Sequence, residues 1–498
     1  MKSPVVRWSD LPSTVLSDDV ALTLRTIPGV RVYSDTVVCT PDVAQVVARL
    51  LDVAVPKRYV DVPVQAASAP GPKLFPWQAE AVNALVADRK RALVHATGSG
   101  KTGTLLAAAD RLKLDGPAPV LIVTKSMGRA VFARDVAWAA PGRRIVNLIG
   151  EGPGESSVEE SRRFNRILYR YQLRGSDCLA VVSVEAAICS GAWAVVVPWE
   201  TLHAHATDLA KRSWALLIAD EAHMGRGRKA QRTAALIGKV SVTPEKRLVK
   251  KPGLASLCAR CWMATATLVA DRARDVFAPL KLIAPEAFPY YWPFAKRYAA
   301  AVPNIHGGWD DKRDDEVPAE VKAELKERIA YWCHVVTKDA IQAHLPAKRR
   351  EVVYVEYDGS PLEPVRDVST LERALADAAE VKSRLLVEDA ATALESGSKV
   401  ILVGARRQWV PKMFARISRT IGDIAKQCWL RWTHGEESLS SRQAMADEYM
   451  AWTGPALLVA TYKSVGTSIN LHDTDELMWG ALPVTVEDAV QMEGRVQR

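Results

Sequence analysis

The chain has 498 residues, 48% hydrophobic and 25% charged, an ordinary globular composition with length enough for two or three cores. Its net charge of +9 suits a polyanionic partner. Seven cysteines over this length make no disulfide framework, no run reaches the roughly 18 apolar residues of a membrane span, and Met1–Arg7 starts no signal peptide. A reduced, intracellular protein is expected.

Residues 1–53 read as a small α+β module. Val20 to Thr26 is helix-like after Ser17-Asp18-Asp19, Ile27-Pro28-Gly29 breaks it, and Val30 to Tyr33 and Thr36 to Thr40 form a pair of strands. Pro41-Asp42 then opens an amphipathic helix with Val43, Val46, Val47, Leu50 and Leu51 on one side. This order of elements resembles the HARP domain of annealing helicases, a DNA-structure-binding module; a plain accessory domain is the alternative. Residues 54–75, with Pro56, Pro63, Pro70 and Pro72, read as a linker.

Phe75-Pro76-Trp77-Gln78 leads into a helix, and Ala92-Leu93-Val94 reads as a buried strand that ends in His95-Ala96-Thr97-Gly98-Ser99-Gly100-Lys101-Thr102 before a second helix. Glycines at a strand-to-helix turn let backbone N–H groups converge on a polyphosphate at a positive helix end. Thr97, Gly98, Ser99 and Gly100 are expected to form this cradle, Lys101 to reach the β/γ-phosphates of ATP, and Thr102 to hold Mg²⁺.

Val120-Leu121-Ile122-Val123 is an apolar strand that ends in Thr124-Lys125-Ser126. Glu159 to Arg174 is read as a helix whose Arg163, Arg166, Arg170 and Arg174 share one face, either a DNA track or, as favoured, a solvated face. His203, His205, Cys258 and Cys261 lack a second pair at metal spacing, so zinc is not expected. Leu216-Leu217-Ile218-Ala219 delivers Asp220 and Glu221 at a strand end. Asp220 is expected to bind Mg²⁺ and Glu221 to activate water. Met263-Ala264-Thr265-Ala266-Thr267 follows another apolar start.

These motifs together resemble superfamily 2 helicases. The resemblance implies that Gln78 reads adenine and that Thr124, Lys125, Ser126 and Gly466 touch nucleic acid. It further implies that His223, Thr265 and Thr267 couple the nucleotide site to the second lobe. Gln491-Met492-Glu493-Gly494-Arg495-Val496-Gln497-Arg498 is similar to motif VI, which implies that Gln491 sits at the nucleotide and that Arg495 and Arg498 reach across the cleft to the γ-phosphate. The stretch from Phe277 to Trp309, with Val336 to Ala340 and Leu345 to Arg349, resembles Swi/Snf-type translocases, whereas His95 to Ser99 departs from their cradle.

The expected fold is α/β: two RecA-like lobes with parallel sheets, 76–285 for ATP and 350–498 behind a helical connector at 286–349, plus the N-terminal module. The expected activity is ATP-driven translocation on, or rewinding of, duplex or branched DNA by a monomer in the cytoplasm of a bacterial or phage-infected cell. The alternatives are a strand-separating DNA or RNA helicase and a structure-specific DNA-binding protein whose ATPase does not cycle. A restriction subunit is disfavoured because the short N-terminus leaves no evident room for a nuclease. The resembled family continues beyond motif VI, so the chain is expected to be either a fragment or a short natural form.

Overall fold

The computed structural model describes residues 6–9, 11, 16–33, 36–53, 73–116, 118–126, 128–149, 159–163, 166–173, 176–228, 230–242, 248–266, 268, 272–303, 309–310, 316–342, 349–352, 368–435, 437, 439–465, 471–483 and 486–496. No helix among them is long and apolar enough to cross a membrane.

In the N-terminal module the strands Val6–Trp8, Val37–Cys39 and Val30–Val32 form an antiparallel sheet, with Val37–Cys39 in the centre. Ser17 caps the helix Asp18–Arg25 by accepting from the Val20 backbone N–H, and Asp18 and Asp19 complement the helix dipole. The apolar stripe of the helix Ala44–Leu51 closes a core of Leu24, Ile27, Val37, Val43 and Val47. Only the strand Val6–Trp8 was not anticipated.

This module is fastened to the first lobe by buried polar groups. The Arg328 guanidinium, on the helix Ala319–Trp332, lies 2.7 Å from the Asp42 carboxylate, and both side chains are fully buried. Arg328 also donates to the Tyr298 hydroxyl at 2.8 Å and stacks 4.3 Å from the Phe288 ring centre. Beside it Arg297 pairs with Glu324 and donates to Thr26 Oγ1 at 2.8 Å.

The first lobe is built on a ten-stranded sheet. In spatial order eight strands run parallel: Cys333–Val336, Lys90–His95, Cys258–Thr265, Trp214–Ala219, Val120–Thr124, Ala194–Pro198, Ile145–Leu148 and Ser176–Val181. Val120–Thr124 and Ala194–Pro198 are buried at every residue. That is why they read as continuous apolar runs: the sheet is covered on both faces, each by its own core cluster. The carboxyl ends of Lys90–His95, Val120–Thr124, Trp214–Ala219 and Cys258–Thr265 open on one side, where an open α/β sheet binds ligands.

Two expectations are corrected here. Residues 159–173 are not a helix but an antiparallel hairpin, Glu159–Arg163 with Arg166–Leu173, added to the sheet edge. Ile167, Tyr169, Tyr171 and Leu173 recur every second residue, and this strand period prevails over the three-to-four spacing of the arginines. The helical face therefore does not form, but the register sets Arg163 directly opposite Arg166, and Arg170, four residues on, shares their face of the hairpin; Arg174 lies outside the described residues. The first lobe also does not stop at 285. Cys333–Val336, assigned to the helical connector, pairs with Lys90–His95, and Ala96 N–H donates to the Val336 carbonyl at 2.9 Å.

The second lobe has a four-stranded parallel sheet in the order Trp429–Thr433, Ala456–Thr461, Lys399–Gly404 and Glu476–Trp479. The helices Ser383–Glu395 and Trp409–Thr420 pack on it around Val400, Leu402, Val410 and Met413. The fold class is as expected, two α/β lobes of RecA-like type with an α+β module in front.

Candidate active site

The cradle turns at Gly98 and Gly100, whose φ angles of +83° and +78° lie in the left-handed region that side chains other than glycine avoid. Gly100 is also held by contact: a Cβ there would lie 2.2 Å from Gln78 Nε2. The loop delivers its amides to the start of the helix Lys101–Arg111. Thr97 Oγ1 and Ser99 Oγ are buried and bond to no described protein atom. Buried hydroxyls without partners are costly, and a polyphosphate would satisfy them. Lys101 Nζ donates to the carbonyls of His95 and Ala96 at 3.1 and 3.3 Å, folded back over the loop. Thr102 is half-buried on the first turn of that helix.

Gln78 is not presented as an open adenine reader. Its Oε1 accepts from Phe75 N–H at 2.9 Å, its Nε2 donates to the Ser99 carbonyl at 3.0 Å, and the residue is buried. One donor and one acceptor of the amide therefore brace the cradle. Trp77 Nε1 donates to the same carbonyl at 3.1 Å, and its ring stacks on Phe75 at 4.6 Å and 3°. This aromatic pair, half-exposed at Phe75, went unassigned in the sequence although Phe75-Pro76-Trp77 is its visible signal.

His95, in the first position of the octet, is fully buried, and its Nε2 lies 2.9 Å from His334 Nδ1 on the edge strand. His95 Nδ1 finds no partner among the described residues. A bare lone pair costs less there than a bare N–H, so His95 carries its proton on Nε2 and donates to His334. Burial, then the neighbouring His334 and Lys101, push the His95 pKa down to about 3. No local signal pointed to His334. For a histidine lowered on folding, the unfolded chain takes up the proton first, so stability falls as pH drops from the ordinary value of about 6.5 toward 3. Denaturant titrations at pH 6.5 and 5 are expected to differ by about 2 kcal/mol more in the wild type than in a His95→Leu variant.

Asp220 follows the strand Trp214–Ala219. Its Oδ2 accepts from Thr124 Oγ1 at 2.9 Å, and its carbonyl accepts from Trp199 Nε1 at 2.8 Å. Burial, with the adjacent Glu221 charge, lifts the Asp220 carboxyl above the usual carboxylate range. Burial acts the same way on Glu221, but the His223 hydrogen bond and the Lys101 charge outweigh it and hold that carboxyl low. Glu221 sits at φ +50°, a conformation that costs a residue other than glycine roughly 1–2 kcal/mol. His223 Nδ1 stands 3.2 Å from Glu221 Oε2 and 3.5 Å from Thr265 Oγ1, so carboxylate, imidazole and the end of the strand Cys258–Thr265 are brought into one chain of contacts.

Thr124 is removed from the list of nucleic-acid contacts. Its side chain is fully buried and its hydroxyl serves Asp220. Ser126 N–H and Oγ both donate to Glu200 Oε2, at 3.2 and 3.0 Å. Lys125 is half-buried at the strand end, close enough for its charge to act on Glu221.

The second lobe reaches this site through the helix Val486–Val496. A Cβ on Gly494 would lie 2.3 Å from Thr97 Oγ1, so helix and cradle meet closely. Arg495 follows; burial works against its charge while Glu221 and Asp220 support it. Thr267, Gly466, Arg498 and the Gln491 side chain lie outside the described residues.

Residues 71–127, which hold the Gln78 helix, the cradle and the strand Val120–Thr124, match the family described as "Type III restriction enzyme, res subunit". Over these residues the chain is thus similar to the restriction subunits that were disfavoured on length. No curated protein matches in sequence. Among solved structures the chain is similar to the Sulfolobus solfataricus SWI2/SNF2 ATPase core in complex with dsDNA, with 14% identity, a TM-score of 0.42 and 82% of each chain covered. The core domain of the same organism gives 15% identity and a TM-score of 0.42, over 88% of this chain and 87% of that one. The ATP-dependent Type ISP restriction-modification enzyme LlaBIII bound to DNA gives 12% identity and a TM-score of 0.47, over 86% of this chain and 27% of that one.

Proposed function

We propose that the protein is an ATP-driven DNA translocase in which closure of the two lobes completes the hydrolytic site. The observation that supports this reading is the close approach of the second-lobe helix Val486–Val496 to the cradle, Gly494 against Thr97, with Arg495 near enough for its charge to act with Asp220 and Glu221. A site divided in this way makes hydrolysis depend on lobe closure.

Within it the backbone amides after Gly98 hold the phosphates of ATP, and Lys101 leaves the His95 and Ala96 carbonyls to neutralise their charge. The Phe75–Trp77 stack offers adenine a flat apolar face. Asp220 and Thr102 would hold Mg²⁺, which would supply positive charge to the phosphates; burial and the Glu221 charge disfavour the ionised Asp220 carboxylate, and a facing cation would favour it. Glu221, kept ionised by His223 and Lys101, accepts a proton from the attacking water. Arg495 stabilises the charge that develops on the transferred phosphoryl group. His223 and Thr265 link Glu221 to the sheet and would carry the state of the carboxylate toward the lobe interface.

DNA as the partner is supported by the +9 net charge and by the resemblance of the motifs. The test compares ATP hydrolysis with forked DNA, duplex, single strand, RNA and no nucleic acid. Stimulation is expected to be greatest with fork or duplex. Equal stimulation by single strand and duplex would remove the duplex translocase and leave the strand-separating helicase.

A further inference from the structure

Positive charge is distributed very unevenly along this chain. Residues 222–251 contain nine lysines and arginines and one acid, Glu245, a local net charge of +8 against +9 for the whole molecule. The segment begins immediately after Glu221. It comprises a 3₁₀ turn, Ala222–Gly225, a basic loop, the helix Gln231–Ile237, and the antiparallel strands Lys239–Val242 and Leu248–Lys251, which form a two-stranded sheet separate from the ten-stranded one.

Its mounting is rigid. Thr233 Oγ1 donates to the Gly225 carbonyl at 3.2 Å inside the core, and Met224 N–H donates to the Glu221 carbonyl at 2.9 Å. At the foot of the two strands the backbones touch: a Cβ on Gly253 would lie 2.1 Å from the Leu236 carbonyl oxygen and 2.2 Å from the Gly238 nitrogen. At the loop end Arg228 is already engaged, its guanidinium 4.0 Å over the Tyr291 ring.

The strands are different. Their register places Lys239 directly opposite Lys251, on the same face of the ribbon, with Lys250 opposite Val240. Like charges directly opposite one another destabilise a strand pair. Among the described residues neither Lys239 nor Lys251 forms an ion pair, and Lys251 is exposed. A cross-strand lysine pair without an acid is a repulsion that an anion from outside would relieve.

We propose that the strands Lys239–Val242 and Leu248–Lys251, mounted on the helix Gln231–Ile237, form a DNA-binding arm in which Lys239 and Lys251 hold the phosphate backbone of double-stranded DNA. Two features select this partner. The surplus charge matches a polyanion of regular phosphate spacing. A two-stranded ribbon fits the B-form major groove, about 12 Å wide, but not the deep, narrow groove of A-form RNA. Because the arm is fixed through Gly225 and Met224 to the carbonyl side of Glu221, DNA held there loads the turn that carries the water-activating carboxylate. This deepens the translocase reading and rests on it.

The test uses the full chain and a fluorescent 30-base-pair duplex, with affinity measured between 50 and 200 mM salt, for wild type, Lys251→Glu and Lys239→Gln/Lys251→Gln. In the double variant the slope of log affinity against log salt is expected to shrink by roughly 2, with at least a tenfold loss of affinity at the low-salt end. ATP affinity should not change. In Lys251→Glu the cross-strand repulsion becomes an attraction, so thermal stability holds or rises while DNA affinity falls. A merely structural Lys251 would move stability and leave the salt slope alone, and that outcome overturns the proposal. A larger loss on duplex RNA than on duplex DNA overturns the choice of partner. Wild type that binds no nucleic acid at all defeats the translocase reading and the arm together, whereas wild-type binding with unchanged variant slopes defeats the arm alone.

Discussion

Replacement of Arg495 with alanine is expected to lower kcat for ATP hydrolysis by roughly 10³- to 10⁵-fold while ATP affinity falls much less. The guanidinium lies on a helix of the other lobe, near enough for its charge to act with Asp220 and Glu221, and that charge is complementary to what a phosphoryl group acquires only during transfer. A group of this kind acts on the transition state and little on the ground state. Lysine at the same position should recover only a small part of the rate, because a point charge cannot make the planar two-pronged contact. The backbone bond from Leu471 N–H to the Arg495 carbonyl at 3.1 Å does not involve the side chain and should persist in the variant. Single-turnover hydrolysis together with equilibrium binding of a fluorescent nucleotide separates the two effects. A parallel loss of both would place Arg495 in binding and not in chemistry.

The second large effect concerns stability. Asp42→Ala is expected to cost about 3–5 kcal/mol, because it leaves the fully buried Arg328 without its counter-charge. Arg328 would keep the Tyr298 hydroxyl, which cannot neutralise it. The double replacement Asp42→Leu/Arg328→Met should lose far less, since a buried pair exchanged for apolar groups of similar volume is often nearly neutral. Urea unfolding of the three variants distinguishes these outcomes. Limited proteolysis within residues 54–75 should increase in Asp42→Ala alone if the pair is what fastens the module. Equal losses in the single and double variants would show that the site depends on shape and not on charge.

How much could be read beforehand varied with the range of the interactions. The cradle, the carboxylate pair and the strands that end in them were legible because each is a local pattern: glycine at a turn, apolar residues before it, helix formers after it. The N-terminal helix Asp18–Arg25 was legible from its Ser17 cap. What failed was set by neighbours distant in sequence. Thr124 looks like a polar residue at a strand end, and only the register beside Trp214–Ala219 turns its hydroxyl inward to Asp220. Gln78 is drawn into the loop by the Ser99 carbonyl 21 positions on. At Arg166–Leu173 two periodicities compete in eight residues, and the sheet edge formed by Ser176–Val181 decides between them. Asp42 and Arg328 stand 286 positions apart and carry no local mark of their pairing.

The edge strand Cys333–Val336 bears on how the protein is made. The cradle leaves the ribosome early, but the strand that flanks it, and the imidazole that receives the His95 proton, come 239 positions later. At about 5–20 residues per second, this is an interval of roughly 12–50 s during which that side of the nascent cradle strand is unpaired. An open strand edge with a buried histidine beside it invites association with other chains. The nucleotide site is therefore completed near the end of first-lobe synthesis, and a fragment that stops at residue 285 would retain every cradle residue while lacking the strand that closes them in.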